Sequence, residues 1–214
     1  MSMSLCLRAP EPLQRRAVAR REPLQVCDVD HPDRADVEHF IRQVYARQFD
    51  ADVQHFAPNL VFLRDANDRI VAAAGYRSGG DDALFLERYL PRPIEQMLAI
   101  EGAATPSRSV IVEVGHLSAS KSGEGRRLIA LLAVHLAAQE FEWAVTTVTT
   151  ELLALFVRIG LTPRALAAAE PAALGEEARL WGRYYEHSPT VVCGTLQHAL
   201  HQLALRAPES SRPR

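Results

Sequence analysis

Of the 24 basic residues in this chain, only Lys121 is a lysine; the rest are arginine. Cysteine is scarce as well. Cys6, Cys27 and Cys193 are the full set, too few and too far apart for a disulfide framework, and they point to a reducing compartment, the cytoplasm. No uninterrupted apolar run is long enough to span a bilayer, so a transmembrane segment is not expected. The formal net charge is −2, and neither an acidic tail nor an overall basic surface marks a nucleic-acid partner. No internal repeat is visible. A Ser-His-Asp arrangement and a reactive-cysteine motif are both missing, which disfavours a covalent enzyme intermediate.

What is present suits one domain of ordinary size, with 214 residues and 48% hydrophobic content. Residues 1–25 read as a polar, arginine-rich leader containing Pro10, Pro12 and Pro23, without the apolar stretch of a secretory signal. Residues 26–205 hold the folded domain, and 206–214 read as a disordered tail.

Asp33 or Asp36 caps a helix expected to run to about Phe49, with Val37, Phe40, Ile41, Val44 and Tyr45 on one face. Residues 60–63 and 70–76 form a hairpin across an Asp-Ala-Asn-Asp turn. Pro93 opens a short helix as its first residue. Residues 110–114 read as a central strand, followed by Ser120-Lys121-Ser122-Gly123-Glu124-Gly125-Arg126-Arg127 and an apolar helix from about Gly125 to Ala138. A β-branched strand at 143–148, a helix at 151–159 stopped by Gly160, and a last strand near 191–194 complete the order. A strand–loop–helix–strand core calls for parallel pairing in the middle of the sheet, while the hairpin supplies antiparallel strands. The fold class is therefore α/β, one domain around a mixed sheet of about six or seven strands.

The only lysine sits in the loop between the central strand and its helix. Glycines there let backbone N–H groups converge, and a helix N-terminus adds partial positive charge, so the segment reads as a phosphate-binding device. A basic turn without ligand is the competing reading. Cys193, His198 and His201 have a metal-like look but lack a fourth ligand, so no metal is expected.

Residues 60–161 resemble the GCN5-related N-acetyltransferase (GNAT) superfamily. In that superfamily's donor loop, Gly123, Gly125 and Leu128 fall at matching places, while Ser120 stands where Arg or Gln is usual. In a second pattern Gly160 and Leu161 match, while Thr149 replaces an Asn and Phe156 replaces the usual tyrosine general acid. Longer blocks resemble the thermostable hemolysin family, taken to share that fold. They are residues 84–90 with Pro93-Ile94-Glu95, then Val112-Glu113-Val114-Gly115-His116-Leu117-Ser118, and Trp181-Gly182-Arg183-Tyr184-Tyr185-Glu186. His116 stands where that family commonly has Asn.

The resemblance implies an acyltransferase whose two central parallel strands splay into a V that takes the pantetheine arm of a thioester donor. Leu117, Ser118 and Ala119 would face pantetheine. Lys121, Gly123, Gly125, Arg126 and Arg127 would hold the phosphates of an acyl-CoA or the acidic surface of an acyl carrier protein, with Glu124 turned away. No cofactor would be bound permanently. The acceptor would be a small amine or amino-acid-like molecule. Glu113 is the candidate base, with an ion pair to Arg108 or Arg77 as its alternative role; Glu87 is the second candidate, or a tie for its segment. Tyr184, Tyr185 or water would protonate the leaving thiolate in place of Phe156. Two other function classes stand beside this one: a membrane-active lytic protein, as the family name suggests, and a catalytically inactive GNAT-like binding module.

Overall fold

The computed structural model describes residues 24–100, 102 and 104–206, so the leader and the tail fall almost wholly outside the described residues. Seven strands form one mixed sheet: β1 (Gln25–Cys27), β2 (Asn59–Arg64), β3 (Ile70–Ser78), β4 (Ile111–Ala119), β5 (Trp143–Val148), β6 (Arg164–Ala168) and β7 (Thr190–Thr195), in the order β1-β2-β3-β4-β5-β7-β6. Only β4 and β5 pair in parallel; every other neighbour is antiparallel. The helices are α1 (Arg34–Phe49), α2 (Ile94–Leu98), α3 (Ser122–Ala138), α4 (Thr150–Arg158) and α5 (Leu196–Arg206). Gln25, assigned to the leader by sequence, already pairs with Phe62.

Strand alternation decides which helix covers which face. Val61, Leu63, Val112 and Val114 point toward α3 and α5, where they meet Leu128, Leu132, Leu136 and Leu196. Leu60 and Phe62 point the other way, onto the Val37, Ile41 and Tyr45 face of α1. That second face is completed by two chain excursions. One runs from β3 to β4 and carries a 3₁₀ stretch, Phe85–Tyr89, and α2; the other precedes β7 and carries Pro171–Trp181 and Tyr184–His187.

Local chemistry sets the boundaries. Asp65 turns the β2–β3 hairpin by accepting from the backbone N–H groups of Asn67 and Arg69 at 2.9 and 3.0 Å. Thr149 caps α4 by accepting from Leu152 N–H at 3.3 Å, and Gly160 leaves it at φ +92°. Two boundaries differ from expectation. Pro93 is the residue before α2 rather than its first turn. More consequentially, α3 begins at Ser122, so Gly123 and Gly125 lie in its first turn, not in a curled loop. Gly125 packs beside Ala119, whose Cβ would lie 3.4 Å from a Cβ added there.

One irregularity shapes the middle of the sheet. Against β3, Gly75 faces Gly115 and Ala73 faces Ser118, so Ala74 alone opposes both His116 and Leu117. This β-bulge puts His116 at φ 55°. Ser118 Oγ steadies it by donating to the His116 carbonyl at 3.0 Å. The parallel ladder to β5 starts at Ile111↔Trp143 and stops at Val114↔Thr146, one residue short of Gly115. Beyond that point the two strands part, as expected for the splayed pair.

Candidate functional site

Where β4 and β5 separate, two cavities meet. An open cleft of about 380 Å³ follows β4 from Gly115 to Ser120 and reaches Lys121 and Gly125 at the start of α3. An aromatic pocket lies on the α1 side and is walled by Tyr45, Phe85, Tyr89 and Trp181, with Glu113 and Arg77 among its lining. Five residues line both: Tyr45, Gly115, His116, Thr147 and Tyr184. That junction is where a molecule in the cleft would touch one in the pocket.

The expected cleft residues divide into two groups. Leu117, Ser118, Ala119, Lys121 and Gly125 line it. Gly123, Arg126 and Arg127 do not, although all three are exposed beside it. Arg127 lies 3.5 Å from Glu124 on the same helix, and Glu124 is not part of the cleft lining. Lys121 is exposed at the N-cap of a 17-residue helix whose first N–H groups have no intrahelical partner. Arg158, from α4, supplies a second cation to the cleft wall. Nothing in the sequence singled it out, because its position depends on the register of a helix that looks ordinary.

Glu113 is buried, with 8% of its surface exposed. Its Oε2 accepts from Phe85 N–H at 2.8 Å and lies 3.5 Å from Arg77 Nε; its Oε1 accepts from Leu86 N–H at 3.0 Å. Burial pushes its pKa above the usual carboxylate value despite Arg77 and the two backbone donors. Glu113 pairs with Arg77 rather than Arg108 and also lines the pocket. Glu87 is arranged differently. It accepts from the N–H groups of Leu84 and Ile94, both at 2.9 Å, and takes Arg108 in a fork at 2.7 and 3.0 Å. Burial would raise its pKa, but Arg108 and the two backbone donors outweigh that and hold it at about 2. A carboxylate bound this tightly is a poor proton acceptor; its geometry ties the Phe85–Tyr89 stretch to α2, and Glu95 adds a second bond to Arg108 at 2.8 Å.

Tyr184 is buried at the junction, stacked on Tyr45 with centroids 6.4 Å apart. Its hydroxyl donates to the Thr147 carbonyl at 3.4 Å, just past the last parallel pair. Burial holds the phenol well above its ordinary pKa, so it stays protonated. Phe156, by contrast, packs in the core with Ile129 and Val148.

The sequence signal at His116 is its departure from the family's usual Asn, which by itself implies no role. At the bulge its ring lies 5.4 Å from Phe56, and Nδ1 is shut off from solvent without a hydrogen-bond partner. The residue as a whole keeps some exposure toward the two cavities. Desolvation, reinforced by Arg77, lowers its pKa to about 4, against a hydrogen bond with the His55 backbone. It is therefore a neutral imidazole at neutral pH.

The family blocks explain one another here. Glu113 of the second block caps the 3₁₀ stretch of the first, Phe85 stacks against Trp181 of the third at 5.9 Å, and the Tyr89 and Tyr185 hydroxyls hydrogen-bond at 2.7 Å. Gly182 makes the last closure possible. At φ +51°, a Cβ there would lie 2.3 Å from the Asp50 carbonyl oxygen. Without one, Arg183 N–H reaches the Phe49 carbonyl at 2.7 Å.

A mixed sheet whose parallel centre is split by a bulge above a helix N-terminus is the architecture of GNAT-like acyltransferases, and solved structures bear this out at the level of the fold. LasI, an acyl-homoserine lactone (AHL) synthase, matches with a TM-score of 0.58 at 13% identity, covering 89% of this chain and 98% of its own. FeeM, an N-acyl amino acid synthase from uncultured soil microbes, has a TM-score of 0.58 at 12% identity, over 85% and 96%. BjaI, a CoA-dependent acyl-homoserine lactone synthase solved with SAM and isopentyl-CoA, has a TM-score of 0.57 at 13% identity, over 85% and 86%. No curated protein matches the sequence. The chain belongs to the thermostable hemolysin family, whose sequence profile matches residues 27–200.

Proposed function

We propose that the protein is an N-acyltransferase that moves an acyl group from a thioester to a small amine or amino-acid-like acceptor. The observation that carries this reading is the meeting of two cavities at the point where the β4–β5 ladder ends. The pantetheine arm of an acyl-CoA or acyl-carrier-protein donor lies along residues 117–119, with its phosphate near Lys121, Arg158 and the first turn of α3. The amine enters through the aromatic pocket. Its nitrogen attacks the thioester carbonyl at the junction, and the C–S bond breaks. Glu113 receives the ammonium proton, directly or through water, and Tyr184 donates its hydroxyl proton to the leaving thiolate. A buried carboxylate with a raised pKa suits proton acceptance. Burial disfavours the Tyr184 phenolate, so Tyr184 gives up its proton only as one returns to it from Glu113 through water, which leaves both groups as they began. The 3.4 Å bond from Tyr184 to Thr147 is long enough to be exchanged for a bond to substrate. No permanently held cofactor is needed. Both donors are made in the cytoplasm, where this reading puts the protein.

The names of the structural neighbours support acyl transfer to an amine, and acyl-CoA as one donor type. The membrane-lytic reading draws no support from α3, whose apolar face is buried against the sheet. Among the described residues no helix is long and apolar enough to cross a membrane.

The test uses Gly115, where an added Cβ would meet nothing within 4 Å. Gly115→Val should fold normally, as read by thermal melting, yet abolish thiol release from acyl-CoA or S-acyl pantetheine in a screen of amines and amino acids. Unimpaired turnover in that variant would move the chemistry away from the junction.

A further inference from the structure

We propose that a second, largely apolar cavity on the far side of the split takes the acyl chain of the donor, so that the protein selects medium-chain thioesters over acetyl. This rests on the acyl-transfer reading and specifies its substrate. The cavity lies between the sheet, α3, α4 and α5, with Val114, Leu132, Leu136, Phe156, Val192 and Leu196 in its wall. Leu117, Ile129 and Thr146 line it and the open cleft alike, so the two spaces adjoin where the strands part. A chain attached to a carbonyl at the junction passes just beyond Val114 and Thr146, the last paired residues, where the strands part, and continues into this space.

Three features argue that the cavity is built for an apolar occupant. Interiors pack closely, and an unfilled apolar cavity costs stability. Water is a poor filler here, because it needs several polar partners and the wall offers few. The strand that floors the cavity also gives up a side chain to make room. Val192 faces this side, and by alternation so does Gly194, two residues on. A Cβ added at Gly194 would meet nothing within 4 Å, and Ala199 and Ala133 keep the helix side of the same wall short. An acetyl group would leave all of this space empty.

S-Acyl pantetheines supply the probe, since they carry the arm common to both donor types. Binding to the full chain is measured by calorimetry for pantetheine itself and for the acetyl, butanoyl, hexanoyl, octanoyl and decanoyl thioesters. Affinity should rise about three- to fourfold per added methylene until the cavity is full. Gly194→Leu should lower the octanoyl-to-acetyl affinity ratio at least about tenfold. Gly194→Val and Ala199→Val, which add less bulk, should lower it by smaller factors and serve if the leucine variant does not fold. A flat series with pantetheine still bound would overturn the acyl cavity and leave the donor cleft standing. A rising series unaffected by all three variants would place the chain elsewhere and also overturn it. Failure of every compound, pantetheine included, would overturn the acyl-transfer reading and this occupant together.

Discussion

The two sides of the split are built in opposite ways. The side proposed for the donor is centred on one continuous piece of chain, from Leu117 on β4 through Lys121 to Ile129 on α3, with a backbone shaped by one bulge and one helix N-terminus, and α1, β5 and α4 close the cleft around it. The pocket side is assembled from α1, two excursions and the strand, and Tyr45, Phe85, Glu113 and Trp181 come together from positions far apart in sequence. A local device depends on backbone geometry and tolerates changes in its side chains; here Ser120 stands in for the superfamily's usual Arg or Gln. A device assembled from distant segments needs closures such as the Glu113 cap and the tight approach at Gly182. Binding of the donor should therefore be robust and spread over several groups, while chemistry and acceptor fit hang on a few.

Glu113→Gln tests this contrast with the largest expected effect. Turnover at neutral pH should fall about 10²–10⁴-fold with donor affinity nearly intact. The base must be ionised to act, so wild-type activity should decline as pH falls through its raised pKa, at a pH above the ordinary carboxylate range. That acidic limb should vanish in the glutamine variant. Glutamine keeps the acceptor for one backbone N–H, so retained folding with retained turnover would return Glu113 to a cap and ion-pair role. The contrast would then lose its chemical half.

Gly182→Ala comes next. The clash with the Asp50 carbonyl and the positive φ should cost about 2–4 kcal/mol of stability, read by denaturant unfolding. In the folded fraction, donor affinity should survive while turnover falls, because the aromatic wall moves and the helix N-terminus does not.

The same contrast explains what was legible in the sequence. Hydrophobic alternation and β-branched composition place the β2–β3 hairpin and the central strands, the strand–helix–strand order implies the parallel pair, and the family resemblance implies that it splays. The segment around Lys121 was found because its pieces are neighbours in the chain. Its helix start was misplaced, because glycine in a first turn looks like loop when packing against Ala119 cannot be seen. The family blocks marked the pocket side, but what they do needs three dimensions. Glu87 and Glu113 look alike in sequence, each a carboxylate in an apolar run. Both accept from two backbone N–H groups; they are separated by a forked Arg108 on Glu87 and by the place of Glu113 beside a cavity, with Arg77 no closer than 3.5 Å. β1 and β6 carry no strand signal in the sequence, β1 because three residues hold too little pattern.

His116 joins the two sides, and pH sharpens its role. Its folded pKa of about 4 lies below the ordinary histidine value, so the unfolded chain takes up the proton more readily. The stability contribution is complete above about pH 6.5 and is lost as pH falls toward 4. Between pH 7 and 5 the folded protein should lose about 2 kcal/mol from this group. His116→Asn, which cannot titrate, should show a correspondingly shallower decline in urea unfolding. An unchanged pH slope would mean that the ring is not desolvated in solution.

The smallest effect separates cations on the donor side. Lys121 lines the cleft, while Arg127 sits beside it, half-exposed and paired with Glu124 at 3.5 Å. Lys121→Ala should weaken acyl-CoA binding roughly five- to thirtyfold, a charge-assisted contact discounted for exposure. Arg127→Ala should change it by less than about threefold, because the lost cation leaves with a local pair that was worth little. Both effects should shrink as ionic strength rises, the Arg127 effect first, since it acts from farther away through solvent. A carrier protein reverses the order. It presents an acidic surface to the outside of α3, where Arg126 and Arg127 stand exposed. Titrating the two variants with acyl-CoA and with an acyl carrier protein in parallel therefore distinguishes the donors. Selective loss in Lys121→Ala marks a nucleotide phosphate in the cleft, and selective loss in Arg127→Ala marks protein docking. Equal and negligible loss in both would leave binding to the α3 N–H groups and Arg158, and would show the donor side to be more purely a backbone device than Lys121 suggests.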